Sequence, residues 1–163
     1  GLFPAGYNNA YQIIQTPGYV VIVSEMIHSA RIIPIDRKSP VPPVMKLWDG
    51  DSRGHWEGQT LVVETANFNN KGWIATNAAS GRIKGVMQTE NTRVVERFTR
   101  VDAATIKYEV TITDPAMYTK PWTVSIPLER DDIYRIYEYA CHEGNQAVEH
   151  VLKGGRVLEG SAK

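Results

Sequence analysis

Asp51 to Phe68, DSRGHWEGQTLVVETANF, decides the fold class. Its polar, glycine-bearing start reads as a turn, and the run that follows has the two-residue period of a strand in an antiparallel sheet. Leu61, Val63 and Thr65 alternate with Val62, Glu64 and Ala66, and both faces are rather apolar, as expected where a sheet curves around a core. A second instance, TRVVERFTRVDAATIKYEVTITDP from Thr92 to Pro115, shows two alternating runs joined by the polar turn Asp102-Ala103-Ala104. Ile106, Tyr108, Val110 and Ile112 face one way there, and Lys107, Glu109 and Thr111 face the other.

Working outward, Tyr11 to Thr16, Tyr19 to Glu25 and Ser29 to Ile35 are short β-branched runs, the first two split by the turn signal Pro17-Gly18. Residues 1 to 10 read as a surface segment. Pro34, Pro40, Pro42 and Pro43 predict an irregular connection from Asp36 to Asp49, since proline cannot donate to a ladder. Residues 69 to 91, rich in Asn, Gly, Ser and Ala, predict a long lid-like loop anchored by Trp73.

The pattern predicts strands at 19 to 25, 60 to 67, 93 to 101, 105 to 113, 122 to 128 and 134 to 140 in one predominantly antiparallel sheet or barrel. Only near the end does the period become helical. Ala147, Val148, Val151 and Leu152 fall on one stripe, with Gly154-Gly155 as a stop, which predicts a short C-terminal helix packed on the sheet or plugging one end. The fold class is mainly β: an antiparallel curved sheet or lipocalin-like β-barrel, with a β-sandwich as the alternative. A chain of 163 residues fits a single domain, 1–163.

Eighteen Lys and Arg balance eighteen Asp and Glu, which leaves no electrostatic footprint for nucleic acid or an anionic membrane. No apolar run approaches the roughly 20 residues that a spanning helix needs. The single cysteine, Cys141, excludes an internal disulfide and is compatible with either cytoplasm or periplasm.

SEMIHSARIIPID, GDSRGHWEGQTLVVETANF, VVERFTRVDAATIKYEVTITDP, KPWTVSIPL and YEYACHEGN together resemble a large family of uncharacterised, mostly exported bacterial proteins, a resemblance that covers nearly the whole chain. It implies a periplasmic or extracellular home and a segment upstream of Gly1, and it implies no activity. It directs attention to His28, Trp56, Glu57, Glu64, Asn67, Glu96, Asp114, Trp122, His142, Glu143 and Asn145. Gln59 stands where the family usually has an acidic residue, which weakens any carboxylate role there.

Glu64 and Glu96 each follow Val-Val in a strand and share a face with apolar neighbours, so both are expected on the concave side of the sheet. Two carboxylates in one interior repel and lose solvation, creating an acid/base couple suited to hydrolysis or isomerisation. Alternatively each pairs with an arginine such as Arg97, Arg31 or Arg135. Cys141 to Asn145 places a thiol, His142, Glu143 and an amide together, but Cys141 and His142 alternate to opposite faces of a strand, and Asn145 is a good helix cap. The four histidines lack metal-motif spacing, so neither metal nor cofactor is expected.

Trp48, Trp56 and Trp73 sit in or beside loops and are the candidate binding residues. Two functions follow. One is a non-catalytic exported module that holds a small hydrophobic ligand or docks onto the extracytoplasmic face of a membrane protein complex. The other is a small acid/base enzyme using Glu64, Glu96 and His142.

Overall fold

In the computed structural model, which describes residues 10–36, 39–76, 85–138, 140 and 144–161, the Asp51 to Phe68 stretch is a hairpin rather than a turn feeding one strand. Asp51–Glu57 (β4) pairs antiparallel with Thr60–Ala66 (β5), and the chain reverses at Gly58 and Gln59, where Gly58 adopts φ +59°. The polar composition concealed an alternation: Ser52, Gly54 and Trp56 share the face of Leu61 and Val63, while Arg53, His55 and Glu57 take the other.

Before this hairpin, Tyr11–Thr16 (β1), Tyr19–Ser24 (β2) and Ala30–Pro34 (β3) form a three-stranded antiparallel sheet, with a short 3-10 helix at Met26–His28 between β2 and β3. After it come a small hairpin, Trp73–Thr76 (β6) with Gly85–Met87 (β7), and three long strands, Arg93–Arg100 (β8), Thr105–Thr113 (β9) and Trp122–Glu129 (β10). The second sheet has the order β10-β9-β8-β5-β4 and is antiparallel throughout. The protein is therefore mainly β, with antiparallel sheets and a C-terminal helix, Ala147–Ser161 (α1).

Val20, Ile22 and Ile33 of the first sheet pack against Leu61, Val63, Phe98, Tyr108, Val110 and Ile112 of the second. Each side chain of this kind contributes about 1.5–3 kcal/mol when fully buried. The sheets meet at a seam where Ile35 forms a parallel bridge to Gly54. A Cβ at Gly54 would stand 2.7 Å from Ile35 Cδ1 and 3.0 Å from Ile33 Cγ2, so a side chain there would push the sheets apart. Among the described residues no pairing joins β1 to β10, and no closed barrel forms.

Three expectations are corrected. Tyr134 to Glu138 form no strand: the Asp131 carboxylate accepts hydrogen bonds from the backbone N–H groups of Ile133 and Tyr134, both at 2.9 Å. The N–H groups that begin the segment are used in a local turn instead of a ladder. Residues 69 to 91 are not purely loop, because they contain the β6–β7 hairpin. The helix neither stops at Gly154-Gly155 nor buries its stripe: it continues to Ser161, with Val148, Val151 and Leu152 exposed. Helical glycine costs only about 1 kcal/mol relative to alanine, and the Glu149–Lys153 pair, at 2.5 Å, supports the turn that precedes it. Asn145 stands one residue before the cap position, which Gln146 takes by accepting from His150 N, and the Asn145 Oδ1 accepts from Ala147 N at 2.9 Å.

Candidate functional site

The inward-facing residues of the second sheet stack in layers fixed by register. Gly54, Val63, Glu96, Val110 and Val124 stand in one row across β4, β5, β8, β9 and β10. Leu61, Phe98, Tyr108 and Ile126 stand in the next row, with Trp56 at its β4 end. Arg100 and Ile106 lie one row further on, towards the Gln59 and Asp102 turns.

The middle of the interior is polar. Glu96, only 1% exposed, accepts a hydrogen bond from Tyr108 Oη at 2.8 Å and forms an ion pair with Arg31 of β3. Arg31 also donates to Ser52 Oγ at 2.9 Å and to Thr65 Oγ1 at 2.8 Å, and those hydroxyls lie 2.9 Å apart. Burial first, and then the neighbouring Glu96 carboxylate, push the Tyr108 phenol far above its usual range, so it remains a donor. Every strand from β3 to β5, together with β8 and β9, contributes to this knot.

Glu64 does not enter it. Val63 is the cross-strand partner of Glu96, so Glu64, one residue along, points to the opposite face, where it is exposed. The expectation that both carboxylates occupy one interior fails on register: a one-residue step in a strand reverses the side chain. The alternative reading, an interior glutamate paired with Arg31, describes Glu96. His142, Cys141 and Glu143 lie outside the described residues.

Beyond the polar knot the two sheets leave a cavity of about 190 Å³ that opens at the Gln59 end. Val20, Ile22, Leu61 and Phe98 form its buried floor. Ile13 of β1 and Ile106 of β9 form opposing walls, and the rim carries Trp56, Gln15, Gln59 and Arg100. Trp56, a lining residue, is 43% exposed. The register of β8 places Phe98 and Arg100 on one face. What the period could not reveal was that β1 and β2 would stand opposite them.

Trp48 belongs to the other end of the molecule. Five residues of β4, Asp51 to His55, separate its neighbourhood from Trp56, a span of roughly 17 Å at about 3.3 Å per residue. There the two segments expected to carry contacts come together: the buried Gln88 side chain donates to Trp48 O at 3.2 Å and to Asn69 O at 3.4 Å, and Lys46 pairs with Glu90 at 3.6 Å. Trp48 is 63% exposed and Val44 86%, with Met45 and Met87 also exposed. Trp73 starts β6 opposite Met87, and its side chain lies outside the described set.

Other motif residues are structural. Asp114 is buried and accepts from Thr92 Oγ1 at 2.5 Å, Thr89 Oγ1 at 2.9 Å and the backbone N–H groups of Thr89 and Ala116 at 3.1 Å. Burial alone would raise its carboxyl, but the hydrogen bonds from Thr92 and Thr89 outweigh it and hold the group below the usual range. Glu57 lies on the outer face, where Arg97 at 2.7 Å, and then His55, keep its carboxyl low.

Among the described residues no group of three His, Cys, Asp or Glu side chains could hold a metal ion, and no helix is long and apolar enough to cross a membrane. In comparisons with known proteins, no family model, curated protein or solved structure matches this chain.

Proposed function

We propose that this protein is a non-catalytic binding module that holds a small hydrophobic ligand between its two sheets. The observation that carries the reading is the cavity at the Gln59 end, whose floor of Val20, Ile22, Leu61 and Phe98 is apolar and whose mouth is open. An apolar cavity of about 150 Å³ admits benzene, so about 190 Å³ suits a chain or ring of under roughly ten heavy atoms. The enzyme alternative has less support: Glu96 has one oxygen on Arg31 and the other on Tyr108, and Glu64 faces away. An exported, periplasmic or extracellular setting is part of this proposal and rests on the sequence resemblance.

Titration with 1-hexanol, followed by two-dimensional NMR, tests the reading. Saturable shifts at Val20, Leu61 and Phe98 are expected, together with a change in Trp56 fluorescence. Shifts confined to other surfaces, or none at all, overturn it.

The exposed Val44, Met45 and Trp48 favour a second reading, docking onto a protein complex through the end opposite the cavity. Tryptophan with neighbouring apolar side chains is the composition of interface centres. Trp48→Ala should weaken such docking while leaving hexanol binding unchanged.

A further inference from the structure

Resting on the ligand-binding reading, we infer that the cavity takes a small amphiphile with an anionic head, its carboxylate held by Arg100 and its apolar tail lying over Leu61 and Phe98.

Arg100 is the one charged side chain among the described residues that line the cavity, and no carboxylate lines it with it. Its position follows from the strand: Arg100 is two residues beyond Phe98 on β8, so both face inward, and it pairs across the ladder with Ile106. The guanidinium is oriented by a bond from Nε to the backbone oxygen of Asp102, at 2.9 Å. Among the described residues it makes no ion pair, so the edge carrying Nη1 and Nη2 is left to meet a ligand.

The nearest competitor by sequence is the Asp102 carboxylate, held below its usual range first by the Ala104 N–H and, in smaller part, by the charge of Arg100, with which it forms no ion pair among the described residues. One of its oxygens accepts from Ala104 N and Thr105 N, each at 2.7 Å. Glu57, at the end of β4, stands on the outer face and is engaged by Arg97 and His55. The cavity mouth therefore presents a positive charge over an apolar floor. Gln15 and Gln59 on the rim add neutral amides that can donate to a second ligand oxygen. An arginine fork matches a carboxylate in two parallel hydrogen bonds, which an alcohol or an amine cannot form.

Three probes of equal chain length test the assignment on the intact protein: hexanoate, 1-hexanol and hexylamine, each titrated at low salt and followed by NMR shifts at Leu61 and Phe98. Hexanoate is expected to bind about tenfold more tightly than 1-hexanol, equivalent to about 1.4 kcal/mol, and hexylamine most weakly. In Arg100→Gln, hexanoate should fall to the level of hexanol, with hexanol unchanged. Arg100→Lys should restore part of the preference, and hexanol binding to each variant reports that the cavity is intact. If hexanol equals or exceeds hexanoate in the unmodified protein, or if Arg100→Gln leaves hexanoate binding unaltered, the anionic-head assignment is overturned and the cavity reading stands. If none of the three probes moves the floor residues, both are overturned.

Discussion

Arg31 of the three-stranded sheet and Glu96 of the five-stranded sheet form an ion pair in the interior that ties the two sheets together. They lie 65 residues apart in the chain, and Tyr108, Ser52 and Thr65 satisfy most of what the pair leaves open. The net stability such a knot adds is small, because removing two charges from water offsets much of their attraction.

Breaking one side of the pair should be costly. Arg31→Met or Glu96→Leu alone is expected to destabilise by about 3–5 kcal/mol, since either leaves a buried charge without its partner. The double variant should recover a large part of that loss. Urea unfolding of the two single variants and the double variant measures the coupling, and a loss below about 1 kcal/mol in either single variant would mark the pair as behaving like a surface one.

Asp114 should govern part of the acid limb of stability. Its folded carboxyl lies below the ordinary value of 3.8, so in the window between the two the unfolded chain binds more protons than the folded one. The resulting stability is fully present above pH of about 4–5 and is lost as pH falls through the folded value. Asp114→Asn should lower stability at neutral pH and flatten the decline on acidification, as read from thermal unfolding midpoints between neutrality and strong acid.

The seam at Gly54 should tolerate no side chain. Gly54→Val is expected to cost about 1–3 kcal/mol, the range for overpacking, and to weaken the Ile35 bridge. Hydrogen exchange at Asp36 N, which donates to Gly54 O at 2.9 Å, would report the opening directly.

Tyr134 should tether the segment after β10. Its hydroxyl lies 2.7 and 2.8 Å from the two oxygens of the buried Glu25, whose hydrogen bond raises the phenol above its ordinary range. Tyr134→Phe is expected to speed hydrogen exchange at Ile133 and Tyr137 while the β8–β9 amides stay protected. Equal protection in both proteins would show that the tether lies elsewhere.

The sequence by itself determined the mainly β class and the faces of β8, β9 and β10, because strand periodicity is a local property written into successive residues. It also marked Asn145 as a residue that satisfies a backbone N–H at the start of the helix. Only the tertiary structure decided that Asp51–Glu57 is a strand and that Tyr134 to Glu138 is not, since a strand forms only where the backbone meets a partner in register. Tertiary structure likewise separated Glu64 from Glu96, chose Arg31 as the partner of Glu96 and opened the cavity beneath Trp56. Each of these is set by register and by the facing of two sheets, which are relations between distant segments that no local period encodes.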